Sequence, residues 1–435
     1  MALPDAIDMM ELLARIGPLP RTLACRATDR AYEIVAAMVP GAAVEGYPCG
    51  STAWTWTIPP RWELRRAVVR TLDGRIVLDS DEHHLHCVNY SQPFHGRVSR
   101  EELLAHLHSY PNRPRAIPFK FYFYDRKWGL CLQHERVLAL TDDEYDVEID
   151  CSFEDGEFNV LSALLPGEQP EEFLLCANIC HPTQANDSLT GLAASVDIFA
   201  RLARRASRKY SYRLLIAPET IGSIAYMSRH PEVVQRTVGG FFSEMLGTDG
   251  PPVLQASRRG DSYWDVLADE AMKSSGLSYR RVPFMKSASN DEKCLDAPGV
   301  GIPMVSLTRY PYPEYHSDAD HVGLIDVDRL RECRDALQTM IDLAEADYIP
   351  VLKQPGPIFL SGHGLRPDVH NDPSAAEMME SFYDVMYALD GDFTVCEIAR
   401  RIGRPARDVR YWTDAFASKG LLEKRPFHRR RPCHA

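Results

Sequence analysis

Apolar residues recur at helical spacing near the start of the chain, at Met9, Leu12, Leu13 and Ile16, then at Tyr32, Ile34, Val35 and Met38. The spacing predicts two helices within residues 5–39, parted where Pro18 and Pro20 break the backbone ladder. From 45 to about 150 the pattern shortens and becomes rich in Trp, Tyr, Val and Thr, with turn pairs at Pro59-Pro60, Asp73-Gly74 and Pro111-Asn112. AVVRTLDGRIVLDS predicts a hairpin about Asp73-Gly74, and the whole span reads as a small β-rich domain. From about 151 apolar runs alternate with amphipathic stretches. FLLCANI, YRLLIAP, VGGFFSEML and GIPMVSLTR predict strands. SLTGLAASVDIFARLARR, SIAYMSRH and VDRLRECRDALQTMIDLAEADY predict helices. Together they describe α/β architecture around a buried sheet. A Pro- and Gly-rich loop (353–373) then leads to three short helical patterns, AAEMMESFYDVMYAL, TVCEIARRIG and ARDVRYWTDAFASKGLLE.

A chain of 435 residues exceeds one ordinary domain, so two or three are expected. With 45% hydrophobic and 25% charged residues the composition is that of a globular protein. No uncharged apolar window of about 18 residues exists, so no membrane span is expected. The acidic N-terminus lacks the basic region of a signal peptide. Eleven scattered cysteines suit reduced thiols in the cytoplasm better than a disulfide framework. The net charge of −12 argues against nucleic-acid binding by the whole protein. The charge is uneven, however. From Thr394 onward 11 Lys/Arg face 4 Asp/Glu, a balance of +7 that leaves −19 on the rest and marks a basic C-terminal module.

The chemistry-bearing residues stand just after the strands. His181 follows FLLCANIC, Glu219 follows YRLLIAP, Glu244 ends VGGFFS, and His316 follows PMVSLTRYPYPEY. Asp187 precedes the helix after the first of these strands. Open α/β sheets form their sites beyond the carboxyl ends of strands, so these five side chains are expected to converge. Two imidazoles with carboxylates suit zinc, and Asp187 at a helix start is the natural bridge if two ions bind. Each residue taken singly has a plainer reading: an isolated His is usually structural, and Asp187 alone would be an N-cap. His83, His84 and His86 in EHHLH are expected to alternate on an exposed strand. Cys176 is expected to be a core thiol rather than a ligand.

HPTQANDSLTG, PETIGSIAYM, EMLG, NDEKCLDAPGVGIP and YHSDAD, in that order, resemble the zinc aminopeptidase superfamily, which includes bacterial leucyl aminopeptidases, glutamate carboxypeptidase and glutaminyl cyclase. YPCGSTAWTWTIPPRW, LHCVNYSQPFHG, FYDRKWGLCL and ICHP resemble its bacterial aminopeptidase-like members with a nested β domain and a C-terminal winged helix. The resemblance implies a mixed-sheet α/β core with helices on both faces, built from 1–44 and 150–355. It implies a nested β-rich lid domain at 45–149, a linker at 356–373 and a winged helix-turn-helix domain at 374–435. It further implies one zinc on His181, Asp187 and Glu244, and a second on Asp187, Glu219 and His316. Asp291 matches an acidic position near the metal and is a second proton-handling candidate beside Glu219. Glu292, Arg309 and Tyr315 are candidates for holding substrate, as is Glu314. Three departures from the family pattern matter. Pro218-Glu219 replaces a Glu-Glu pair, so one carboxylate must serve as either ligand or base. Thr183 stands where a supporting Asp is usual, and Glu244 replaces a shorter Asp.

The expected function is zinc-dependent hydrolysis of a peptide or amide bond, by an aminopeptidase or amidohydrolase carrying one or two ions. The resemblance also admits acyl transfer or cyclisation at a single zinc, or a catalytically degenerate regulator joined to a DNA-binding module. Trp54, Trp56, Tyr124 and Trp128 are available to line the crevice, although at least half of them are expected in the β domain's own core. Arg404, Arg407 and Arg410 lie on or near the expected recognition helix of the C-terminal module, which reads either as a DNA reader or, preferably, as a docking or dimerisation domain. The expected partner is a small peptide or amide, with self-association open and neither nucleic acid nor membrane expected.

Overall fold

The computed structural model describes residues 7–368 and 375–427. Eight strands form one mixed sheet: β1 (Ala43–Pro48), β2 (Glu157–Leu165), β3 (Glu172–Asn178), β4 (Ser211–Ala217), β5 (Thr237–Ser243), β6 (Val253–Gln255), β7 (Arg280–Val282) and β8 (Met304–Thr308). Their spatial order is β1-β2-β4-β3-β5-β8-β6-β7. β4, β3, β5 and β8 run parallel to one another. β1 and β2 extend one side by antiparallel pairing, and β6 is antiparallel to β8. Every residue of β3, β4, β5 and β8 is buried. That explains their mostly apolar runs, because parallel strands are covered on both faces.

The helix Leu189–Ala203 is buried over nearly its whole circumference. Its Gly191 lies so close to β5 that a Cβ there would stand 1.7 Å from the Ser243 carbonyl oxygen. Asp197 of the same helix is fully buried and is held by Arg201 at 2.9 Å and by Arg334 of the helix Val327–Ala346.

Between β1 and β2 a second sheet of four antiparallel strands runs in the order Ile76–Asp79, Arg61–Thr71, Glu144–Glu154, Phe94–Ser99. The hairpin expected about Asp73-Gly74 joins the first two, with Val68 opposite Asp79 and Gly74 at φ 89°. Trp62, Val69, Val147 and Ile149 of this sheet share one apolar cluster with Leu174, Cys176 and Leu215 of the main sheet. EHHLH departs from the expected exposed strand. His84–His86 form a turn of 3-10 helix and His86 is fully buried, its Nδ1 2.8 Å from the Cys131 carbonyl oxygen. Trp128 is buried between Phe94 and His106, whereas Trp54, Trp56 and Tyr124 are exposed.

The chain divides into two compact units, one within 1–260 and 277–335, the other within 261–276 and 336–435. In the second unit, helices Ala375–Met386, Val395–Ile402 and Ala406–Ser418 enclose Phe382, Ile398, Val409, Trp412 and Phe416. Thr394 and Glu397 form a capping box at one helix start, and Gly403 at φ 67° ends that helix. Helix Tyr263–Ser275 packs on Val395–Ile402, and strand Leu422–Arg425 pairs antiparallel with Ile349–Leu352. The basic run at 429–431 and part of the expected linker lie outside the described residues. Among the described residues, no helix is long and apolar enough to cross a membrane.

Candidate metal centre

β4, β3, β5 and β8 are neighbours, so the residues that follow them meet at one edge of the sheet. His181 follows β3, Glu219 follows β4, Glu244 follows β5 and His316 follows β8. His181, Asp187 and His316 each offer a ligand atom, and these atoms all lie within 4.8 Å of one another. His316 Nε2 is 3.2 Å from Asp187 Oδ2, and His181 Nε2 is 3.8 Å from Asp187 Oδ1. Asp187 therefore stands between the two imidazoles. Glu219 is at the edge of this group, with Oε2 3.7 Å from His181 Nε2 and Oε1 3.6 Å from Lys293 Nζ. Its nearest imidazole is thus His181, whereas the family pattern pairs it with His316. Glu244 is buried but is not one of the three gathered residues, and its Oε2 has no hydrogen-bond partner.

Backbone contacts aim these side chains. Arg21, fully buried, donates through Nε to the Ile179 carbonyl at 2.8 Å and through its terminal nitrogens to those of His181 and Gln184. Asp320 accepts the N–H groups of Ala185, Asn186 and Asp187 at 3.2, 2.7 and 3.0 Å. Tyr312 donates its hydroxyl to Asp320 at 2.6 Å. The peptide bond between Asp187 and Ser188 is cis. Asp291 accepts from Thr220 N at 3.2 Å and from the Ser223 hydroxyl, which fixes the turn just after Glu219. Phe119, from the inserted β region, presents its ring edgewise to His181 and His316, with centroids 5.4 and 5.1 Å away.

Burial governs the electrostatics. It pushes the Glu244 carboxyl well above the usual range, helped by the charge of Asp187. It also raises Glu219, although His181 and Lys293 oppose the shift. Burial would raise Asp187 too, but the two imidazoles outweigh it and hold the carboxyl below its ordinary value. His181 is lowered by burial despite the carboxylates beside it. Asp320 is pushed up to about 7, by burial first and by Asp187 second. A basin of buried carboxylates facing two imidazoles, with Asp187 Oδ2 and Glu244 Oε2 both left without a hydrogen-bond donor, suits a divalent cation.

The remaining sequence candidates fall in several environments. Glu292 accepts from Gln255 Nε2 at 2.6 Å and from Asn290 N at 3.2 Å, and burial pushes it up to about 7. Tyr315 stacks on His316 with centroids 3.9 Å apart. The Arg309 guanidinium is committed to Glu332 at 2.6 Å and to the carbonyl of Gly250, which leaves it a structural rather than a substrate-facing setting. Glu314 is half-buried beside the His316 loop. Sequence reasoning passed over Arg21, Asp320, Phe119 and Lys293. Asp320 and Lys293 lie inside quoted motifs, YHSDAD and NDEKC, and could have been flagged there. Arg21 and Phe119 carry no local signal.

A Clostridium acetobutylicum protein, provisionally named for polysaccharide biosynthesis and an aminopeptidase-like domain, is 29% identical to this chain over 427 residues and 96% of each sequence. A crystal structure from the same organism, provisionally described as a peptidase, superposes with a TM-score of 0.83 at 28% identity over 96% of both chains. A zinc aminopeptidase from Bacillus subtilis shares the fold, with a TM-score of 0.58 at 16% identity over 79% of this chain and 95% of its own. The core thus shares its fold with that aminopeptidase, and, with a family model matching residues 10–347, the chain belongs to the family described as "Domain of unknown function (DUF4910)".

Proposed function

We propose that this protein is a zinc-dependent hydrolase of peptide or amide bonds, an aminopeptidase or amidohydrolase. The observation that carries the reading is the meeting of His181, Asp187 and His316 within 4.8 Å. These three would hold the ion, and the partnerless Glu244 Oε2 offers a further oxygen. A bound zinc ion supplies Lewis acidity toward a scissile carbonyl and an attacking water. We take Glu219 as the general base. Its side chain is 31% exposed, so it can reach substrate and water, and burial raises its carboxyl toward a useful range. Asp291 is fully buried with its oxygens occupied by Thr220 and Ser223, so it is better suited to holding the Glu219 turn than to moving protons itself. Tyr315, stacked on His316, is the candidate substrate contact, whereas Glu292 is fully buried with its oxygens taken by Gln255 and Asn290.

Metal analysis of wild type, His181→Ala and Glu219→Ala tests this assignment. His181→Ala should lose zinc, while Glu219→Ala should keep it and lose activity on a panel of aminoacyl anilides and small amides. Zinc loss in Glu219→Ala would return that residue to the ligand set. Chelation should abolish hydrolysis and added zinc should restore it.

We assign the C-terminal segment (374–435) to a winged helix-turn-helix type of module used for docking or self-association. Arg404 is paired with Asp384 at 2.5 Å and Glu380 at 3.5 Å, and Arg410 donates to the Ala346 carbonyl at 2.7 Å. Arg407, largely exposed, lies 3.6 Å from Asp408, so each of the three arginines near the expected recognition helix has a protein partner, which disfavours phosphate contacts. A DNA mobility shift with the full chain at low salt should be negative. Ten thiols among the described residues suit a reducing compartment such as the cytoplasm.

A further inference from the structure

The loop that carries His316 is tied on its own side by Tyr312, which donates to Asp320 at 2.6 Å, and by Ser317, whose hydroxyl donates to the Glu314 carbonyl at 2.6 Å, but neither bond engages His316 itself. His316 is a non-glycine residue at φ 54°, a left-handed conformation that persists only where surroundings over-determine it. Its carbonyl oxygen is claimed by the inserted β region: Phe119 donates its N–H at 2.8 Å and Tyr110 its hydroxyl at 3.2 Å. One step on, Pro118 and Ser317 form an antiparallel bridge. Asp318 N donates to the Ile117 carbonyl at 3.1 Å, and Ile117 N donates to Asp318 Oδ1 at 2.8 Å. On the other side of His316, Arg113 donates to the carbonyls of Pro313 and Tyr315 at 2.6 and 2.9 Å, with its guanidinium 4.2 Å from the centre of the Tyr110 ring. The buried Phe119 ring then closes one wall of the group by touching both imidazoles.

We propose that the segment Tyr110–Phe119 is a strap that positions His316 as a metal ligand, so that the inserted β region completes the site of the α/β core. This rests on the metal reading above. The strap contributes none of the three gathered ligand atoms. It acts through the His316 backbone, fixing where the imidazole points. Partners that orient metal ligands typically govern about 10–100-fold in metal affinity. Tyr110 and Arg113 are therefore positioning residues.

The test uses the full chain and measures zinc affinity by competition with a chromophoric chelator, alongside thermal melting of the metal-free protein. Tyr110→Phe removes one donor to His316 at nearly constant volume, and Arg113→Ala removes the two donors beside it. The double variant should bind zinc about 10-fold or more weakly while its metal-free melting stays that of wild type, and Arg113→Lys should recover part of the affinity. Unchanged affinity in the double variant overturns the strap. So does a metal-free melting loss that accounts for the weaker binding, because the segment would then be merely structural. A wild-type chain that takes no zinc overturns the metal reading, and this inference with it.

Discussion

Asp320 Oδ2 accepts the backbone N–H of Asp187 at 3.0 Å, so the loop that carries His316 also fixes the loop that carries the carboxylate facing it. Asp320 Oδ1 takes the N–H of Asn186 at 2.7 Å, and Tyr312 donates to the same carboxylate. In Asp320→Asn one face of the side chain becomes a donor and opposes an N–H or the tyrosine hydroxyl. Zinc affinity should fall by about 10–100-fold. Chelator competition checks this, and an affinity equal to wild type would show that the Asp187 loop holds its shape unaided.

Glu219→Gln should retain the metal and the fold while kcat drops by about 10²–10⁴-fold, the usual contribution of a positioned proton acceptor. Zinc content and steady-state rates on the same sample separate this outcome from loss of the ion. A variant that keeps full kcat would remove Glu219 from the proton path.

Lys293 lies 3.6 Å from Glu219 and donates to the Ser289 carbonyl at 3.2 Å. It opposes the raising of both Glu219 and Asp291. Lys293→Met should therefore move the acidic limb of the kcat/KM profile to higher pH, since an uncompensated Glu219 loses its proton less readily. An unmoved limb would mean that a different group sets it.

Arg334 and Arg201 together neutralise Asp197, which is fully buried in the helix Leu189–Ala203. Arg334→Leu leaves the partly exposed Arg201 as the one charged partner of a buried carboxylate. The expected cost is about 3 kcal/mol, read as a lower urea midpoint at unchanged slope. A change in slope would indicate a different unfolded state instead.

His84 makes an edge contact with Trp62, and its Nε2 is buried without a hydrogen-bond partner. Burial, with His83 nearby, pushes the imidazole down to about 4. Above pH of about 6.5 both folded and unfolded chains hold it neutral, so it contributes nothing to pH dependence. Between about 6.5 and 4 the unfolded chain takes up a proton that the folded chain refuses, and stability falls with pH by up to about 3 kcal/mol. His84→Phe should lose less stability than wild type between pH 8 and pH 5. Urea midpoints at the two values decide it.

Much of the architecture was legible in the chain itself. The apolar runs of β3, β4, β5 and β8 announce strands covered on both faces, and the histidines and carboxylates stand just beyond their ends, where such sheets form sites. The short strands Val253–Gln255 and Arg280–Val282 were not legible, because three residues carry no period. EHHLH misled for a related reason. Its alternation mimics a strand, but local hydrogen bonds close it into a 3-10 turn. Sequence determined which residue types gather at the sheet edge, since strand ends and helix starts are local properties. Tertiary structure alone decided which three of the five expected ligands gather within 4.8 Å, that Arg309 turns to Glu332, and that an inserted segment ties down His316. Those relationships join residues far apart in the chain, and only packing and backbone hydrogen bonds set their distances.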